Sequence, residues 1–163
     1  CIQGTESFRW SRTEPDPSFI EALSAPDIDP YIVFPEGEGY EGRMVEFEPK
    51  EGRVPVFIIL DGTWRQARRM FRHSRYLDDL PVIEPTSSMP TAYRLRKASV
   101  PGQLCTAEVA SQMLRQIGDV YSADLLSAYF TVFNEHYRAA RMSRPLQEDT
   151  VEKQLIAKHQ KRG

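Results

Sequence analysis

The residues best placed to do chemistry stand where an apolar run ends. Val54 to Leu60 (VPVFIIL) gives way to Asp61-Gly62-Thr63-Trp64. A run that is apolar on both faces, with Pro55 confined to its start, is expected to be the central strand of a covered, parallel-type sheet. Ligands of open α/β sheets bind beyond the carboxyl ends of the strands. A carboxylate, a glycine that permits close backbone approach and the free N–H groups of a starting helix would converge there. A purely structural account is also open. In it Asp61 and Gly62 turn the chain, and Thr63 caps the helix with Gln66 completing a capping box.

That helix, expected to run to about His73, holds the second feature. Arg65, Arg68, Arg69 and Arg72 recur at i, i+3, i+4 and i+7, which puts their guanidiniums on one face. Trp64, Ala67 and Phe71 fall elsewhere and would pack inward. No Glu or Asp occurs between Trp64 and Tyr76, so no nearby carboxylate in the chain pairs these cations. The stripe is either a solvated face or a surface for phosphates, to which His73, Arg75, Arg94, Arg96 and Lys97 could add.

A third junction is Gly102-Gln103-Leu104-Cys105-Thr106-Ala107-Glu108, a glycine-bearing loop that enters a helix with an acid in its first turn. Helix electrostatics alone favour that placement. The alternative is a loop that grips a cofactor with Glu108 near a cationic group. Cys105 has no histidine nearby in sequence and reads as a packing residue rather than a nucleophile. The three histidines are scattered, and no metal site is expected in this segment.

These junctions need a frame. At 163 residues and 40% apolar content the chain is expected to fold as one α/β domain. Its net charge of −2 does not advertise nucleic-acid binding, so any RNA surface must be local. No membrane span or signal peptide is read, and two distant cysteines make a reducing cytosol the expected compartment. Short strands are expected at Ser7–Trp10, Tyr31–Phe34, Leu80–Ile83 and Tyr93–Arg96, with an edge strand or hairpin arm at Met44–Phe47. Helices are expected near Phe19–Leu23, from Cys105 or Thr106 to Gly118, over Ala123–Met142, and in the tail. In the long helix Leu126, Tyr129, Phe130, Phe133 and Tyr137 form one apolar stripe. The opening residues read like the middle of a domain, so a preceding segment is expected.

Taken together the motifs resemble those of the DTW-domain proteins, tRNA-uridine aminocarboxypropyltransferases related to the SPOUT methyltransferases. Asp61-Gly62-Thr63-Trp64 followed by Ala67 resembles the family signature. Tyr93-Arg94-Leu95-Arg96 resembles its Tyr-x-x-Arg element, and Cys105-Thr106-Ala107-Glu108 its Ser-Thr-x-Glu element. Trp10-Ser11-Arg12-Thr13-Glu14-Pro15 is similar to a segment of bacterial members. Cys105 stands where serine is usual and Val109 where alanine is usual. The family's N-terminal cysteine cluster and a Thr-Asn-Thr-Gly-like segment are not in this sequence, so any zinc would belong to the expected preceding segment.

The resemblance implies a SPOUT-like sheet with helices on both faces and a C-terminal knot. It implies transfer of the 3-amino-3-carboxypropyl group of S-adenosylmethionine to N3 of a uridine in tRNA, with Asp61 as the base. It places the cofactor against Leu60, Asp61, Gly62, Thr63 and Trp64, against Tyr93, Leu95 and Arg96, and against Leu104, Cys105, Thr106 and Glu108. Arg96 would meet either the methionine carboxylate or an RNA phosphate. Arg65, Arg68, Arg69, Arg72, Arg94 and Lys97 would contact tRNA. The rival readings are an RNA methyltransferase and a non-catalytic RNA-binding module.

Overall fold

The computed structural model describes residues 4–85 and 104–161. They belong to two compact units, one ending at Thr86 and the other beginning at Ser87. The Tyr93–Arg96 strand expected from sequence lies outside the described residues, as do Arg94 and Lys97.

The first unit is built on three parallel strands, β1 (Ile28–Val33), β2 (Val54–Ile59) and β3 (Val82–Ile83), in the order β2-β1-β3. Among the described residues the central strand is therefore β1, with the VPVFIIL run beside it. Tyr31, Ile32, Val33 and Phe34 are all buried, whereas in β2 only Ile58 is. Both runs are apolar enough for the centre, and long-range pairing decides between them.

β1 also begins earlier than expected and carries Pro30 inside it. The hydrogen-bond parity explains how. Ile32 and Phe34 donate their N–H groups toward β3, to Pro81 and Ile83. Pro30 shares that parity but lies before β3 starts, since β3 pairs only with Ile32 and Val33. Its missing N–H therefore removes no ladder bond. Pro55 is tolerated similarly. Val54 donates to Asp27, the residue just before β1, so the nitrogen of Pro55 points away from β1.

Side chains alternate across the sheet, and each face has its own cluster. Ile32, Phe34 and Ile58 pack with Ala67, Phe71, Leu77 and Val82. Ala67 and Phe71 come from α2 (Trp64–His73). The rings of Phe34 and Phe71 are stacked 4.5 Å apart, with Tyr40 at 4.6 Å from Phe71. This contact anchors α2 to the carboxyl end of β1. On the other face Tyr31 meets Phe47 and Phe57. There the buried carboxylate of Asp29 accepts from the Tyr31 hydroxyl and, at 2.6 Å, from Lys50 Nζ.

Burial raises the Asp29 pKa, but the Lys50 and Tyr31 hydrogen bonds outweigh it and hold the carboxyl below its usual range. A depressed folded-state pKa stabilises the fold above the unfolded value of 3.8, and that stabilisation is lost as pH falls through the folded value. Asp29→Asn should therefore lower the urea midpoint at pH 7, and the gap from wild type should shrink when the titration is repeated near pH 3. A gap independent of pH would remove the charge of Asp29 from the stability of the fold.

Two other expectations change. Ser7–Trp10 is not a strand, and among the described residues no strand pairs with it. Its alternation instead sends Phe8 onto Phe19, 5.0 Å away in α1 (Pro17–Leu23), and the Trp10 indole N–H to Ser74 Oγ at 2.9 Å. Met44 makes one parallel bridge to Val82 and no hairpin.

The second unit is helical: α3 (Thr106–Gln116), α4 (Val120–Met142) and α5 (Val151–Gln160). Gly118 turns the chain between α3 and α4 at a φ of +86°, a conformation that favours glycine. Buried Ser111 donates to the Ala123 carbonyl at 2.9 Å and shares a 2.7 Å hydrogen bond with Ser127. α5 returns antiparallel along α4, pairing Lys153 with Glu135 and His159 with Tyr121. The α4 face most deeply buried carries Leu125 and Ala128, and of the expected stripe Leu126, Tyr129 and Phe130 are half-buried. Phe133 and Tyr137 are 60% and 47% exposed. The contacts with α3 and α5 choose the most buried face, and the expected stripe passes from half-buried to exposed along α4.

Candidate cofactor and RNA site

At the carboxyl end of β2, Leu60 is half-buried and Asp61, Gly62 and Thr63 are exposed. Thr63 is the N-cap of α2. Its hydroxyl oxygen accepts from Gln66 N–H at 3.3 Å, and Gln66 Oε1 accepts from Thr63 N–H at 2.8 Å. This is the capping box read from the sequence. Trp64 is half-buried with its ring 6.4 Å from that of Phe34, so it packs as expected. At Gly62 a side chain would be crowded. A Cβ there would stand 3.1 Å from Gln66 Cβ and 3.3 Å from Met70 Cε, tighter than ordinary contact.

The cap thus fixes where Asp61 stands relative to the helix. Thr63→Ala should destabilise the protein by about 0.5–2 kcal/mol, the usual worth of an N-cap. Thr63→Ser should restore most of it. Equal stability of the three proteins in chemical denaturation would detach the cap from the fold.

The four arginines of α2 are all exposed, opposite buried Ala67 and Phe71. Among the described residues none of the four forms a salt bridge. Arg72 and His73 in the last turn suit the helix dipole, but Arg65 in the first turn opposes it. Helix stability therefore does not account for the stripe.

Sequence reasoning missed Arg43. Its guanidinium donates to the carbonyls of Leu77 (2.6 Å) and Leu80 (2.9 Å) and lies 5.3 Å from the Phe71 ring centre. It ties the chain just after α2 to the sheet. Its partners are 34 and 37 residues away, so no local pattern could announce it.

The third junction lies in the helical unit. Leu104, Cys105, Thr106 and Glu108 are half-buried. Glu108 Oε2 accepts the Cys105 N–H at 2.9 Å, and the sulfur stands where a serine hydroxyl would take the Glu108 N–H. The first-turn acid therefore caps its own helix. Burial pushes the Cys105 thiol up to about 11, which keeps it protonated at neutral pH and agrees with a packing role. Tyr93, Leu95 and Arg96 lie outside the described residues.

A family model, the DTW domain, matches residues 1–138. The chain belongs to the DTW-domain family. The match takes in the Asp61 junction, the arginine stripe and α3, and ends inside α4, so α5 lies beyond it. The activity known for DTW proteins is aminocarboxypropyl transfer to tRNA uridine, which places this DTW domain in a tRNA-modifying context. No solved structure matches the chain. Among the described residues no helix of the DTW chain is long and apolar enough to cross a membrane.

Proposed function

We propose that this DTW domain transfers the 3-amino-3-carboxypropyl group of S-adenosylmethionine to N3 of a uridine in tRNA and releases methylthioadenosine. The observation that carries the reading is a capped strand-to-helix junction with an exposed acid, in a chain of this family. The groups there suit the donor's chemistry. A carboxylate complements a cationic sulfonium or ammonium, and helix N–H groups complement a carboxylate. S-adenosylmethionine supplies an alkyl carbon on a positively charged sulfur, which departs as a neutral thioether with the bonding pair.

Asp61 takes the N3 proton of the uridine as nitrogen bonds to that carbon. Its exposure leaves it open to an acceptor that arrives from solution. Gly62 and Thr63 hold the main chain close to α2 beside it, and the arginine stripe binds the RNA backbone. Leu104 to Thr106 and the Tyr93–Arg96 segment contribute the remaining cofactor contacts. The reading carries with it a SPOUT-related knotted arrangement and a cytoplasmic location, where tRNA is found.

The test is mass analysis of nucleosides from tRNA incubated with the full-length protein and S-adenosylmethionine. An aminocarboxypropyl-uridine is expected. A methylated nucleoside would replace the reading with a methyltransferase. Unmodified tRNA, with no heat of S-adenosylmethionine binding by calorimetry, would leave an RNA-binding module.

A further inference from the structure

The Trp10-Ser11-Arg12-Thr13-Glu14-Pro15 segment has no role in the reaction described above. In the structure it is pinned to the carboxyl-terminal end of α2. The Trp10 indole N–H donates to Ser74, which is fully buried, and the Tyr76 hydroxyl donates to the Ser11 carbonyl at 3.1 Å. Between this segment and the start of α1 lies an open recess of about 380 Å³, lined by Arg9, Trp10, Ser11, Glu14 and Asp16.

The lining dictates what suits it. Trp10 is half-buried with its N–H edge anchored, so its position is fixed before any ligand arrives. Two carboxylates and one guanidinium line the recess, a balance that favours a group rich in N–H donors and leaves Arg9 as the one lining cation for an anion attached to it. Asp16 is already used as the cap of α1. It accepts from the Ser18 hydroxyl at 2.6 Å and the Ser18 N–H at 3.0 Å, and these bonds hold its carboxyl below its usual range. Glu14 is different. Its N–H is bonded to Ser11 Oγ, which sets the turn, while its carboxylate forms no ion pair among the described residues.

A nucleobase fits this arrangement, since aromatic side chains and carboxylates are the usual means of holding an unstacked base. Among the bases, guanine alone sets two N–H donors side by side on its Watson–Crick edge, matching the two oxygens of one carboxylate. Arg9 is then placed for the phosphate of the same nucleotide.

We propose that this recess is a base-binding subsite that takes an unpaired guanosine of the RNA partner, with Trp10 stacking, Glu14 reading the edge and Arg9 meeting the phosphate. It rests on the RNA reading of the preceding subsection and gives the exposed stripe of α2 a specificity element at its far end.

The chain has two tryptophans, so the Trp10 indole N–H resonance can be assigned by its loss in Trp10→Phe. Titration of the full chain with GMP, AMP, CMP and UMP should shift that resonance with GMP at concentrations on the order of tenfold lower than with the others. Glu14→Gln, at an exposed position, should keep the dispersed spectrum of the folded protein and abolish the preference. Arg9→Ala should weaken all four nucleotides alike. Equal response to the four nucleotides, no response to any, or a preference that survives Glu14→Gln would overturn the subsite. So would saturation by an arginine-bearing peptide in place of GMP. Binding of whole tRNA to the stripe variants reports on the RNA reading separately, because those substitutions leave the recess intact.

Discussion

Asp61→Asn in the full-length protein should bind S-adenosylmethionine about as well as wild type and transfer its aminocarboxypropyl group ~10²–10⁴-fold more slowly, the range for loss of a positioned proton acceptor. Asparagine keeps the shape of the side chain but exchanges one acceptor oxygen for an NH2 donor and cannot take the imide proton as the N–C bond forms. Asp61 is exposed, and the capping box beside it is made by Thr63 and Gln66. A denaturation curve taken alongside checks that the variant is folded. Single-turnover transfer to tRNA, with cofactor affinity measured in parallel, separates the two effects. Wild-type turnover in Asp61→Asn would remove the residue from the chemistry. Loss of cofactor affinity with an unaltered chemical step would make it a binding residue.

The arginine stripe carries the second large expectation. Arg65, Arg68 and Arg72 changed together to Ala should weaken tRNA binding on the order of a hundredfold at 0.15 M salt, taking roughly fivefold for each phosphate contact whose counterion is no longer released. The slope of log affinity against log salt should flatten by roughly 2–3. Folding should not suffer, because alanine is the better helix former and all three arginines are exposed. An unchanged salt slope would return the stripe to a solvated face, whatever the change in affinity.

The features legible in the sequence are those settled within two helical turns. The capping box of Thr63 and Gln66, the inward set of Ala67 and Phe71 against four outward arginines, and the stop at Gly118 depend on residues three to seven apart. Backbone geometry places such residues together in any fold that contains the helix. The motifs that marked the DTW family are of the same kind, short and contiguous.

What the tertiary structure alone decided involves partners distant in the chain. Two apolar runs could each have been the central strand, and pairing of β1 with both β2 and β3 chose β1. Pro30 could enter that strand only because β3 starts beyond it. The most buried face of α4 was set by α3 and α5, which left Phe133 and Tyr137 exposed while Leu126, Tyr129 and Phe130 of the same stripe are half-buried. Arg43 found its carbonyls across the unit, and Trp10 found Ser74 across 64 positions of sequence. The physical reason is common to all of these. Periodicity records which residues are able to be buried, whereas the surface that buries them, and the acceptor that meets a given donor, come from segments whose approach is fixed only when the chain has folded.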